Sequence, residues 1–113
     1  MVIGRKKIVC VDFDNTLVLN KYPFCENPNL ELIEFIKSHR DTYIWILNTC
    51  REGVQLKYAV DYLKDKFDLE FDYVNENVPW NIKKYGDCRK IYGDYYIDSH
   101  NLNLVNYKVN LGP

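Results

Sequence analysis

The apolar residues of this chain fall into short continuous runs, separated by stretches with helical spacing. Lys7 to Val11 (KIVCV) is rich in β-branched residues and bounded by charge, so it reads as a strand buried on both faces. The Asn- and Pro-rich stretch NKYPFCENPN then reads as a loop. Asn27 followed by Pro28 has the form of a helix N-cap with proline at the first helical position. Leu30, Ile33 and Ile36 recur on one face, widened by Leu32 and Phe35, so the spacing predicts a helix over 28–39. Thr42 to Leu47 (TYIWIL) predicts a second buried strand. Thr49 with Glu52 three residues later is a capping-box pattern, and Leu56, Val60, Leu63 and Phe67 mark the apolar stripe of a helix over 50–67. Phe71 to Val74 predicts a third, short strand, and Trp80 to Lys84 a helical turn in an otherwise irregular segment. Tyr95 to Asp98 (YYID) predicts a strand ending on an acid, and the tail LNLVNYKVN alternates only weakly.

Strands alternating with helices imply right-handed crossovers and a parallel sheet. The expected fold class is therefore α/β: a Rossmann-like three-layer sandwich around a central, mainly parallel sheet, in one domain over residues 1–113. In such sheets ligands bind beyond the carboxyl ends of the strands. The polar residues at those ends are Asp12 and Asp14 after the first strand, Thr49 and Arg51 after the second, and Asp98 after the last.

Composition narrows the picture. The chain has 113 residues, 47% hydrophobic and 27% charged, which fits a globular domain with a real core. A net charge of −1 gives no bulk attraction to nucleic acid, which is compatible as a partner but not favoured. No apolar run is long enough to span a membrane, and the basic, then apolar N-terminus is broken by Asp12 and Asp14 before it forms a signal peptide. Cys10, Cys25, Cys50 and Cys88 show neither C-x-x-C nor zinc spacing, so four reduced thiols in a cytoplasmic protein are expected.

The acids carry the chemistry. An ionised aspartate is a competent, if weak, nucleophile. Crowded acids repel: two charges about 4 Å apart cost roughly 4 kcal/mol at an effective dielectric of 20. A phosphate substrate adds more negative charge, so the cluster calls for a cation. Oxygen donors open to phosphate select Mg²⁺. A capped helix N-terminus at Thr49, the Lys90 ammonium and the Arg51 guanidinium all suit an anion.

DFDNT at 12–16 resembles the D-x-D-x-T signature of the haloacid dehalogenase-like superfamily, whose members are mostly Mg²⁺-dependent phosphohydrolases. The family's other motifs follow in order: Thr49 at the end of the second strand, Lys90, then Asp98 after an apolar run. The resemblance spans about residues 7–101, and NTCREG, FDYVNENVP and RKIYGDYYID look like a group of very small members with no cap domain. It implies a phosphatase acting through an aspartyl-phosphate. Asp12 would be the nucleophile and Asp14 the acid/base, with Thr49 and Lys90 holding the phosphoryl group. The candidate substrate-binding set is Asn15, Thr16, Asn48, Thr49, Arg51 and Lys90. The metal set is Asp12, Asp14 through its main-chain carbonyl, and Asp98. The substrate would be a phosphate monoester, either a small molecule enclosed by an oligomer or the end of a macromolecule.

The chain departs from the pattern at one place. Small members usually carry two adjacent acids after the last strand, and here Asp98 is followed by Ser99, which implies weaker Mg²⁺ binding. GDYYID also fits a register with Asp94 as the metal acid, ranked lower because only Ile91 and Tyr92 would remain as the strand. Plainer readings stand beside these. The acids could serve turns, Arg51 could sit on a solvated first helical turn, and His39 and His100 could be surface residues. Tyr22, Phe24, Tyr95 and Tyr96 could pack rather than line a pocket. The rival functions are a degenerate Mg²⁺- or phosphate-binding module and an interaction protein.

Overall fold

The structure is a computed structural model that describes residues 5–19, 22–86 and 91–98. Among these residues the chain forms β1 (Ile8–Val11), α1 (Leu30–Ser38), β2 (Ile44–Leu47), α2 (Gly53–Phe67), β3 (Tyr73–Val74), α3 (Pro79–Tyr85) and β4 (Tyr95–Ile97). The strands make one sheet in the order β3-β2-β1-β4, with every pairing parallel. This is the expected Rossmann-like α/β arrangement.

Period-two alternation explains the layers. Val9 and Val11 of β1, with Trp45 and Leu47 of β2, face one side of the sheet. There they pack with Leu32, Ile33, Phe35 and Ile36 of α1 and Ala59 and Leu63 of α2. Ile8, Cys10 and Ile46 face the other side, against Val78 and Trp80 at the start of α3. Two helices therefore cover one face and α3 the other, which is why β1 is buried along its whole length.

Two helix starts differ from expectation. α1 begins at Leu30, and its cap is Asn29, whose Oδ1 accepts from the Leu32 N–H at 3.3 Å. Pro28 instead forms an antiparallel bridge with Val18, and Asn27 turns at φ 47°, so the chain is still returning from a loop there. α2 begins at Gly53, not near residue 50, and its N-cap Glu52 makes no side-chain cap bond. The Thr49 hydroxyl is taken by the Arg51 N–H at 3.1 Å, so the Thr-x-x-Glu pattern closes a loop turn rather than a capping box.

Candidate active site

The strand order reverses at β1: β2 and β3 lie to one side and β4 to the other. The crevice at such a switch point is the usual ligand site of open parallel sheets. Asp12 leaves β1 at this point, and its N–H donates to the Ile97 carbonyl at 2.9 Å, which fixes it beside the end of β4, where Asp98 follows. On the other flank the Asn48 N–H donates to the Val11 carbonyl at 2.8 Å, bringing the β2–α2 loop to the same rim. Asp12, Asp98, Asn48 and Thr49 thus share one end of the sheet. Asp94 lies at the opposite end, where its Oδ2 accepts from the Ile8 N–H at 2.8 Å and its own N–H donates to the Ile8 carbonyl. Asp94 closes the entry to β1, and Asp98 is the acid at the crevice.

The Asp12 carboxyl is pushed above the ordinary carboxylate range, first by burial and then by the negative charges of Asp14 and Asp98. A hydrogen bond from the Phe13 N–H at 2.8 Å works the other way and falls short of cancelling them. An acid in such surroundings gains from any nearby cation.

Asp14 has a cation of its own. Arg51 Nε donates to Asp14 Oδ2 at 2.9 Å and Nη2 to Oδ1 at 2.7 Å, a bidentate pair. Arg51 is only 2% exposed, which rules out the solvated helical turn. The rest of its guanidinium donates to the carbonyls of Pro23 and Phe24, both at 3.1 Å, and lies over the rings of Phe13 and Tyr22. Expected to bind substrate, Arg51 here has its donors engaged by Asp14 and by the 22–25 loop.

Thr16 is buried as well. Its carbonyl accepts from Asn29 Nδ2 at 3.1 Å, and its hydroxyl has no partner among the described residues. It lies inside the turn after β1. Asn15 is exposed on that turn at φ 59°, a left-handed conformation that asparagine tolerates. Thr49 remains at the rim, its N–H donating to Asn75 Oδ1 at 2.8 Å. Asn75 also reaches the Arg51 carbonyl at 3.4 Å and so braces the β2–α2 loop. Sequence reasoning missed Asn75; the signal was an Asn directly after an apolar pair. Lys90, Ser99, His100, Cys88 and the tail lie outside the described residues.

Of the aromatic candidates, Tyr22 lines a cleft of about 310 Å³ with Asp14, Cys50 and Arg51. Tyr95 packs against the core, and the Tyr96 hydroxyl donates to the Ile91 carbonyl at 2.7 Å. His39 ends α1 and stacks on Phe35 with ring centroids 4.3 Å apart. Cys10, Cys25 and Cys50 are free thiols.

No group of three or more His, Cys, Asp or Glu side chains poised for a metal occurs among the described residues. The expected Mg²⁺ set does not need one. It consists of two carboxylates, Asp12 and Asp98, and one main-chain carbonyl, while the Asp14 side chain belongs to Arg51. All are hard oxygen donors, and the negative charges of Asp14 and Asp98 beside the partly buried Asp12 fit a cation there.

Fold and site together define an α/β protein with an acidic crevice at the switch point of a parallel sheet. No protein-family model matches the chain, and no curated protein does so either. A solved structure is similar: the conserved protein coded by locus from Bacteroides thetaiotaomicron, with a TM-score of 0.78 and 25% identity over 96% of this chain and 93% of that one. No helix among the described residues is long and apolar enough to cross a membrane.

Proposed function

We propose that the protein is a Mg²⁺-dependent phosphohydrolase of the haloacid dehalogenase-like kind, acting on a phosphate monoester. The observation that carries this reading is Asp12, held at the switch point beside Asp98 with its carboxyl raised first by burial and then by the charges of Asp14 and Asp98. The acidic crevice suits a cation-assisted reaction at phosphorus. Uncatalysed monoester hydrolysis is slow enough that such enzymes supply up to about 10²¹-fold, largely by positioning and charge neutralisation.

In the proposed reaction an Asp12 carboxylate oxygen attacks phosphorus and the ester P–O bond breaks. The departing oxygen takes a proton from Asp14. Asp14 then takes a proton from water as that water attacks the aspartyl-phosphate, releasing phosphate and restoring Asp12. Asn48 and Thr49 at the rim would orient the phosphoryl oxygens. Mg²⁺ held by Asp12, the Asp14 carbonyl and Asp98 would neutralise charge on the phosphoryl group.

The test is turnover of an aryl phosphate with and without Mg²⁺. Activity should require Mg²⁺ and vanish in Asp12→Asn while the fold persists by circular dichroism. Retained turnover in that variant sinks the nucleophile assignment. One observation favours a second reading, a binding module without turnover: both Asp14 oxygens already accept from Arg51. Mg²⁺ binding by calorimetry with no hydrolysis of any ester would support that alternative.

A further inference from the structure

The cleft beside Asp14 holds information about the leaving group. It measures about 310 Å³, and among the described residues its walls are Asp14, Tyr22, Cys50 and Arg51, with most of the surface apolar. The charge in this wall is already matched, since Arg51 is paired with Asp14 and with the Pro23 and Phe24 carbonyls. Among the described residues the wall therefore offers no spare cation for a second phosphate or a carboxylate. What it offers is the Tyr22 ring, 56% exposed and held by the Arg51 guanidinium 4.9 Å from its centroid.

We propose that this cleft receives the alcohol part of the substrate and that this part is a flat, uncharged aromatic group stacked on Tyr22. The inference rests on the phosphohydrolase reading above, because that reading puts the departing oxygen at Asp14. When the Asp12–phosphorus bond forms and the ester bond breaks, the electron pair goes to the alcohol oxygen, which takes the Asp14 proton. The carbon skeleton attached to that oxygen must lie next to Asp14, and the adjoining space is this cleft. An aromatic ring gains there from burial against apolar surface and from ring stacking. A short polyol would leave hydroxyls facing apolar walls without partners.

The test compares benzyl phosphate with propyl phosphate, both esters of primary alcohols, at saturating Mg²⁺. The wild-type protein should show kcat/KM about tenfold higher for the benzyl ester. Tyr22→Ala should bring the ratio close to one, and Tyr22→Phe should keep it. A ratio near one in the wild type, or an unchanged ratio in Tyr22→Ala, overturns the proposal.

Cys50 gives a second readout that needs no turnover, since it is exposed in the cleft wall whereas Cys10 and Cys25 are buried. Benzylphosphonate should slow alkylation of Cys50 by iodoacetamide, located by mass spectrometry, more than propylphosphonate does. Protection without hydrolysis of either ester removes the phosphohydrolase reading and supports the aromatic subsite. Hydrolysis with neither preference nor protection keeps the phosphohydrolase and overturns the subsite.

Discussion

Arg51→Met keeps the aliphatic stem of a residue that is 2% exposed and deletes its guanidinium. Two charge-assisted bonds to Asp14 are lost, together with the bonds to the Pro23 and Phe24 carbonyls. Removing one partner of a buried ion pair costs about 3–5 kcal/mol, mostly from the charge left behind. The Asp14 side chain keeps 23% of its exposure, so water reaches it, and the loss should fall at the lower end, about 3 kcal/mol. With an m-value of about 1.5 kcal/mol/M, the urea midpoint should drop by roughly 2 M. The Asp14→Asn and Arg51→Met double-mutant cycle isolates the pair, and a coupling of about 2 kcal/mol is expected. A coupling below about 0.5 kcal/mol would refute the view that this pair joins the β1 turn to the β2–α2 loop.

Three further outcomes follow from the same geometry. Asp12 is raised in the folded protein, so on passing up through that range the folded state holds its proton longer than the unfolded one. Stability contributed by the protonated form is thus present below the unfolded value and is lost as pH rises through the folded one. In EDTA, Asp12→Asn should melt higher than wild type at pH 7, with the gap closing in acid; an equal gap at both pH values contradicts this. Gly93→Ala would put its Cβ 2.6 Å from the buried Cys10 Sγ and 3.2 Å from the Tyr95 carbonyl oxygen. It should cost about 1–3 kcal/mol by thermal melting, partly restored by adding Cys10→Ala, and a neutral single variant refutes the close approach. Mg²⁺ at 100 times its Kd should stabilise the wild type by about 2.7 kcal/mol. The shift should disappear in Asp98→Ala but survive in Asp14→Asn, whose contribution to the metal set is a main-chain carbonyl.

The parts legible in the sequence were those set by local pattern. Continuous apolar runs at Ile8–Val11 and Ile44–Leu47 can be stable only when both faces are covered, and that requirement alone points to a parallel sheet between helices. The polar residues at the strand ends then follow from chain order. The errors came from competition between distant and local partners. Thr49 and Glu52 satisfy a helix-start pattern, yet the buried Arg51 draws the chain into a loop turn first, and α2 waits until Gly53 at φ 58°. Asn27 and Asn29 are equally good caps by type. The Val18–Pro28 bridge decides between them, and no local pattern announces that pairing. Arg51 could be read only as a substrate cation or as part of a solvated helical turn, because its partner Asp14 is 37 positions away.

That burial divides the charges of the crevice in a useful way. Three aspartates meet near the end of β1, and a fully occupied Arg51 answers for one of them only. Asp14 can therefore stay held by Arg51 of the β2–α2 loop without a metal. Asp12 lies close to the charges of Asp14 and Asp98, and burial together with those charges raises its carboxyl. On the phosphohydrolase reading, a second arginine at the same rim would relieve Asp12 but would also fill the space a phosphate needs, whereas a small exchangeable cation would relieve it and leave phosphate access. The fixed arginine for Asp14 and the open demand at Asp12 are thus complementary, and they make the metal question at Asp12 separable from the folding question at Asp14.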